Sequence, residues 1–182
     1  MRVLARLFDE GEFLSAHGVR SLSAAHRDGV ALEMAGQELE IAYVPGESTS
    51  PMFGGNSNWR GPVWFPVNVL LIDALHTYAR AGGGEVTVEL PTGSGNWVRL
   101  DEAAYDLERR LVGLFRAGGD GRRPGDPYHQ PTGPLWLAHP TFSEYFDGDT
   151  GVGLGAPTRR AGRARRPPDL HALTSAFAGR GR

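Results

Sequence analysis

The sequence predicts a mainly α fold with one small β-hairpin, because it contains two amphipathic helical patterns and one short stretch of alternating polarity. The chain has 182 residues, of which 40% are hydrophobic. That length and composition suffice for one domain with a hydrophobic core. Glycine-rich segments separate the helical patterns, and we expect these segments to form loops that carry the function.

The two helical patterns lie at residues 66–81 and 101–115. In both, apolar residues recur at every third or fourth position, which places them on one face of a helix. Pro66 stands near the start of the first pattern, and the pair Gly118-Gly119 follows the second, as expected for a helix start and a helix stop. The first seven residues also favour a short helix.

The alternating stretch covers residues 31–43 and predicts the hairpin. Apolar and polar side chains alternate in two runs, and Gly36-Gln37 separates them. Residues 9–22 contain two glycines and are interpreted as a loop.

Charge and composition exclude several classes of function. The net charge is −2, and the 19 basic residues are all arginine. Since 7 of them lie within residues 158–182, the rest of the chain is acidic and is not expected to bind nucleic acid. The absence of cysteine excludes disulfides and thiolate chemistry. We expect a cytoplasmic protein without a metal or cofactor, because no apolar run spans a membrane, charges interrupt the N-terminus, and the histidines lack a metal-ligand spacing.

The first candidate site is the segment 53–68, which contains two tryptophans, three asparagines and one arginine directly before the first helical pattern. A sugar ligand needs flat apolar faces against its C–H groups and planar polar groups that pair with its hydroxyls. The candidate sugar-binding residues are Asn56, Asn58, Trp59, Arg60 and Trp64. The alternative is a structural turn in which the tryptophans fill the core and the asparagines cap the helix.

The second candidate site centres on Glu144, which lies among aromatic residues. Aromatic neighbours can desolvate a carboxyl group and hold it in one rotamer, as a general acid or base requires. Tyr145, the next residue, is a candidate sugar-binding side chain. Asp147 and Asp149 follow in a glycine-rich segment, and the simpler interpretation of these two is a solvated acidic loop.

Two segments carry a resemblance to a known family. Residues 52–68 read MFGGNSNWRGPVWFPVN and residues 144–156 read EYFDGDTGVGLGA. Both motifs, in this order, resemble segments of family 63 glycoside hydrolases, the group that includes mannosyl-oligosaccharide glucosidases and mannosylglycerate hydrolases. The resemblance covers roughly residues 1–156 and is specific, because two long motifs occur in the right order.

The resemblance implies an (α/α)6-barrel catalytic domain that hydrolyses an α-linked oligosaccharide or glycoside with inversion. In inverting hydrolysis a carboxylic acid protonates the leaving oxygen, and a carboxylate about 6.5–9.5 Å away activates water. Glu144 matches the general base of the family, whereas the segment carrying the acid has no counterpart here. We therefore expect a C-terminal fragment of the barrel that is inactive alone. The alternative is a non-catalytic carbohydrate-binding remnant.

The division into domains follows from a change of character after residue 156. The partial hydrolase domain is expected at residues 1–156, and an arginine-rich, disordered tail at residues 157–182. In GC-rich codons, the family peptide His-Gln-Thr-Gly-Trp-Thr-Gly becomes Thr-Arg-Arg-Ala-Gly-Arg-Ala when it is read one base later. That is the sequence of residues 158–164, so we hypothesise a one-base deletion. The alternative is a solvated basic tail that binds anions.

Overall fold

A computed structural model describes residues 2–48, 58–82, 85–128, 133–139 and 141–155. The helices are α1 (Arg2–Leu7), α2 (Phe65–Ala81), α3 (Leu100–Gly113) and α4 (Pro134–Ala138), with a 3-10 turn at Ala24–His26. The strands are β1 (Leu14–Ser15), β2 (Gly18–Val19), β3 (Val30–Met34), β4 (Gln37–Ile41), β5 (Val63–Trp64), β6 (Thr87–Glu89), β7 (Trp97–Arg99), β8 (Tyr145–Phe146) and β9 (Gly153–Leu154).

The core forms where α2 and α3 pack against each other. The inner face of α3 is made of Leu100, Ala103, Ala104, Leu107 and Leu111. This spacing of three or four residues gives the helix one apolar stripe, which α2 covers with Ile72 and Leu75. Both predicted helices are confirmed, with ends within two residues of the expected ones.

The helix starts follow local chemistry. A proline occupies the first turn of α2, where its missing N–H leaves no hydrogen bond unmade. In α3 the Glu102 carboxylate accepts a hydrogen bond from the backbone N–H of Arg99 at 2.9 Å. Asp101 adds a second negative charge in the first turn, next to the positive end of the helix dipole.

The strands of the described residues form four separate antiparallel sheets. Three of them are the local pairs β1–β2, β3–β4 and β6–β7. The fourth, with strand order β5–β8–β9, joins segments that are far apart in the sequence. In its register Val63 pairs with Phe146 and Trp64 pairs with Tyr145.

The predicted hairpin forms as β3–β4. Its turn lies at Ala35-Gly36, one residue before the predicted position, with φ of 52° and 75°. Two consecutive positive φ values are typical of the type I′ turn, whose twist matches that of the paired strands.

The prediction of a mainly α fold, as a fragment of an (α/α)6 barrel with a hairpin insertion, is wrong. Among the described residues 32% are helical and 19% lie in strands, and these strands are spread over several small sheets. Segments interpreted as loops supply most of the strands, including β1 and β2 within residues 9–22. Strands of two residues are too short to show alternation, so sequence periodicity could not reveal them.

The predicted tail, residues 157–182, lies outside the described residues, as does Ala156. The predicted domain boundary therefore stays a prediction. Within the part of the chain that the structure describes, no helix is long and apolar enough to cross a membrane.

Candidate functional site

The two sequence motifs meet in the sheet formed by β5, β8 and β9. Trp64 of the first motif pairs with Tyr145 of the second. The backbone N–H of Phe65 also donates to the carbonyl oxygen of Glu144 at 3.1 Å. The segment that carries Glu144 is thus hydrogen-bonded to the start of α2.

Three side chains form a continuous aromatic stack on this sheet, which we call the aromatic stack: Trp59, Trp64 and Tyr145. The rings of Trp59 and Trp64 are nearly parallel, with centroids 3.8 Å apart and an interplanar angle of 4°. The ring centroids of Trp64 and Tyr145 are 4.6 Å apart, with an interplanar angle of 22°. Trp64 and Tyr145 are buried, whereas Trp59 remains 45% exposed. The stack therefore offers Trp59 as its accessible aromatic surface.

Asn58 holds the loop that leads into the stack. Its side chain is 1% exposed, and its amide nitrogen donates to the carbonyl oxygens of Val44 at 2.7 Å and Gly46 at 2.6 Å. Its amide oxygen accepts from the backbone N–H of Arg60 at 2.9 Å, and its own carbonyl accepts from the indole N–H of Trp64 at 2.8 Å. These bonds favour the structural alternative for Asn58, and its contact with a sugar stays a prediction.

Arg60 is a buried cation with one guanidinium nitrogen that is unpaired within the described part of the chain. Its side chain is 7% exposed, and one terminal nitrogen donates to the hydroxyl of Ser48 at 3.4 Å. Its Nε has no hydrogen-bond partner among the described residues. A buried donor without a partner is costly, so Arg60 is suited to donate to a ligand oxygen. Asn56, the remaining predicted residue of this segment, lies outside the described residues.

Glu144 directly precedes Tyr145 of the aromatic stack, and its side chain is exposed. Its neighbours Ser143 and Tyr145 are both buried, so the carboxylate is presented from a firmly packed segment. Burial, a hydrogen bond to Glu47 and the negative charges of Glu47 and Glu144 together raise the pKa of Tyr145. The Tyr145 phenol is therefore neutral and acts as a hydrogen-bond donor.

Sequence reasoning missed Glu47, which contacts the aromatic stack from a third segment. Its carboxylate accepts from the Tyr145 hydroxyl at 2.8 Å and from the backbone N–H of Gly155 at 2.6 Å. The available signal was weak, since Glu47 is a single carboxylate in a segment of proline, glycine and serine.

Asp147 and Asp149 are engaged in bonds rather than free in a solvated loop. Asp147 accepts from the backbone N–H groups of Asp149 and Thr150 at 2.9 and 2.8 Å, which closes a turn. Asp149 accepts from the Tyr43 hydroxyl at 2.8 Å and from Arg27 at 2.9 Å. Burial raises the pKa of Asp149, but the hydrogen bonds from Arg27 and Tyr43 and the positive charges of Arg27 and Arg20 lower it, and the net shift is downward.

Two glycines allow these loops to approach each other closely. A Cβ on Gly61 would lie 2.5 Å from the carbonyl oxygen of Val44, and a Cβ on Gly148 would lie 2.6 Å from that of Gly61. Any larger residue would separate the backbones and the stack built on them.

The described residues include no group of three or more His, Cys, Asp or Glu side chains that could hold a metal ion. The described residues of the site provide an exposed aromatic face on Trp59, a buried guanidinium on Arg60, and the carboxylates of Glu47 and Glu144.

Comparison with models of known protein families finds no match. The chain is 45% identical over 159 residues to the uncharacterized protein YMR196W of Saccharomyces cerevisiae. The aligned region covers 85% of this chain but 15% of the yeast protein. This chain thus spans a small part of the length of its curated relative. Since the yeast protein is itself uncharacterized, the similarity assigns no activity to the site.

Proposed function

We propose that this chain carries the general-base part of the site of an inverting α-glycosidase that acts on α-linked oligosaccharides or glycosides. The observation that carries the proposal is the pairing of β5 with β8, in which Trp64 pairs with Tyr145, the residue that directly follows Glu144. The motif resemblance to family 63 glycoside hydrolases supports the same reaction. A cytoplasmic location is part of the proposal, and cell fractionation tests it.

The proposed chemistry uses each group for one task. The exposed face of Trp59 stacks on the C–H face of a sugar ring, and the Nε of Arg60, which has no partner among the described residues, donates to a sugar oxygen. Glu144 takes the proton from a water molecule as that water attacks the anomeric carbon. The leaving oxygen needs a proton from a second carboxylic acid, for which the sequence motifs identify no residue here.

A second candidate function is carbohydrate binding without hydrolysis. It is favoured by the contrast within the aromatic stack, where Trp59 is exposed while Trp64 and Tyr145 are buried. An exposed aromatic ring that is held in place by buried rings can bind a sugar without any acid catalyst.

The first test is calorimetric titration of the purified chain with α-linked gluco- and manno-oligosaccharides. Trp59→Ala should weaken binding by about 2- to 12-fold, since stacking on an aromatic ring contributes about 0.5–1.5 kcal/mol beyond its burial. Trp97→Ala is the matched control, because Trp97 is also an exposed tryptophan but lies on β7. Equal losses in the two variants, or no binding by the parent chain, would reject the sugar site.

The second test is hydrolysis of the same sugars. We expect no turnover by the isolated chain, because loss of general acid catalysis alone costs about 10²–10⁴-fold. Turnover that disappears in Glu144→Gln but persists in the hairpin variant Glu33→Gln would show that the chain supplies a complete catalytic pair. Sugar binding that is unaffected by Trp59→Ala and Glu144→Gln would place the ligand elsewhere.

A further inference from the structure

We propose that Glu47 is the positioning residue of this site: it fixes Tyr145, and through Tyr145 it fixes the aromatic stack and the segment of Glu144. The effect of Glu47 on sugar binding rests on the function proposed above. The effect of Glu47 on the geometry of the aromatic stack is independent of that function.

Glu47 joins three segments at one carboxylate. One oxygen accepts from the Tyr145 hydroxyl at 2.8 Å, and the other accepts from the backbone N–H of Gly155 at 2.6 Å. Hydrogen bonds to an ionised acceptor are short and about twice as strong as neutral ones. Glu47 therefore ties the loop after β4 to β8 and to the residue that follows β9.

The backbone conformation of Gly155 and its lack of a side chain permit this contact. Its φ is +74°, and a Cβ built on it would lie 2.8 Å from the Tyr145 ring. Glycine alone lets the backbone N–H pass so close to the ring and still reach Glu47. Glu47, Tyr145 and Gly155 thus form one closed unit.

The position of Tyr145 makes this unit relevant to the site. One face of its ring stacks on Trp64, its hydroxyl is held by Glu47, and its backbone follows Glu144 directly. Without Glu47 the Tyr145 hydroxyl would lose its 2.8 Å hydrogen bond to a carboxylate in a largely buried position, and the ring would lose that restraint on its rotation. Rotation of Tyr145 would disturb both the stacked indoles and the direction of Glu144.

The same fold contains a second tyrosine–carboxylate bond that serves as a matched control. The Tyr43 hydroxyl donates to Asp149 at 2.8 Å, the same distance as in the Tyr145–Glu47 pair. Tyr43 is also buried, but it is not part of the aromatic stack. Removing either hydroxyl therefore removes a hydrogen bond to a carboxylate at the same distance, and only the Tyr145–Glu47 bond touches the aromatic stack.

The experiment compares Glu47→Gln, Glu47→Ala, Tyr145→Phe, the double variant Glu47→Ala/Tyr145→Phe and the control Tyr43→Phe in the full chain. Near-ultraviolet circular dichroism reports the coupling of the stacked tryptophans, and calorimetry reports sugar affinity. Tyr145→Phe and Glu47→Ala should each reduce the dichroism and weaken binding by about 10-fold, as expected for a hydrogen bond to a charged group. The dichroism and sugar affinity of Glu47→Gln should lie between those of these two variants and those of the parent, since glutamine keeps an acceptor oxygen.

The double variant should show no larger loss of dichroism or sugar affinity than Glu47→Ala alone, because both changes remove the Tyr145–Glu47 hydrogen bond. Tyr43→Phe should keep the parent dichroism even if its unfolding midpoint falls. Parent-like dichroism in Glu47→Ala, or an equal loss in Tyr43→Phe, would overturn the proposal. If Glu47→Ala fails to fold, Glu47→Gln decides in its place. A parent chain that binds no sugar would reject the proposed function, while the dichroism still tests Glu47.

Discussion

The β3–β4 hairpin and the β5–β8–β9 sheet differ in burial, and the longer strands are the more exposed ones. The hairpin pairs five residues with five, yet every residue of β3 is exposed. In the sheet, by contrast, β5 and β8 are two residues long and fully buried. The hairpin joins residues that are close in the chain through a tight turn, whereas the sheet joins distant segments and is buried against the core. The candidate site therefore rests on the shortest strands of the described chain.

Aromatic packing compensates for the few hydrogen bonds of the short sheet. Phe146 is fully buried and contacts a cluster of rings, with centroids 5.8 Å from Phe115, 6.3 Å from Phe65 and 6.5 Å from Phe142. The corresponding apolar residue of the hairpin, Leu32, is 46% exposed. Burial of Phe146 on one face of β8 holds the aromatic stack on the other face.

The largest expected effect comes from emptying that ring cluster. Phe146→Ala should lower the free energy of unfolding by about 3–5 kcal/mol, because it removes a fully buried aromatic ring and leaves a cavity. Leu32→Ala should cost at most about 0.5 kcal/mol, since the side chain is exposed. Urea unfolding of both variants measures the difference. Similar losses of unfolding free energy in the two variants would mean that Leu32 is packed as tightly as Phe146, and would contradict the difference drawn between the hairpin and the sheet.

A smaller effect is expected from two glycines with almost equal backbone angles. Gly36 and Gly151 have φ of 75° and 76°, but a Cβ on Gly36 would meet nothing within 4 Å, whereas one on Gly151 would lie 2.6 Å from the His17 ring. Gly36→Ala should cost about 1–2 kcal/mol through backbone strain alone. Gly151→Ala should cost about 1–3 kcal/mol more through overpacking. Equal unfolding midpoints would show that the His17 ring moves aside freely.

The smallest effect concerns pH. Burial lowers the pKa of His17, although Asp147 attracts the charged form. The unfolded chain therefore takes up a proton near pH 6.5 that the folded chain does not, and the free energy of unfolding should fall as the pH drops below about 6.5. His17→Asn should remove this part of the pH dependence in urea unfolding between about pH 5 and pH 8. The hairpin variant Leu32→Ala should keep it, and an unchanged slope in His17→Asn would contradict the prediction.

Local sequence patterns were sufficient to predict α2, α3 and the β3–β4 hairpin, since each depends on residues that are close in the chain. Periodic apolar residues define the buried face of each helix, and a glycine near the turn permits the hairpin to close. The candidate residues Trp59, Trp64 and Tyr145 were also found from the sequence, because aromatic and polar residue types are concentrated there. Their division into one exposed and two buried rings was not predictable.

The amino-acid sequence by itself determined the helices, the local turns and the types of side chain available for a ligand. Tertiary structure decided which of them meet: Trp64 with Tyr145 across the sheet, and Tyr145 with Glu47 through a hydrogen bond. The physical reason is that two-residue strands and single carboxylates carry no periodic signal. Their pairing is selected by burial and hydrogen bonding between distant segments, which arise only once the core has formed.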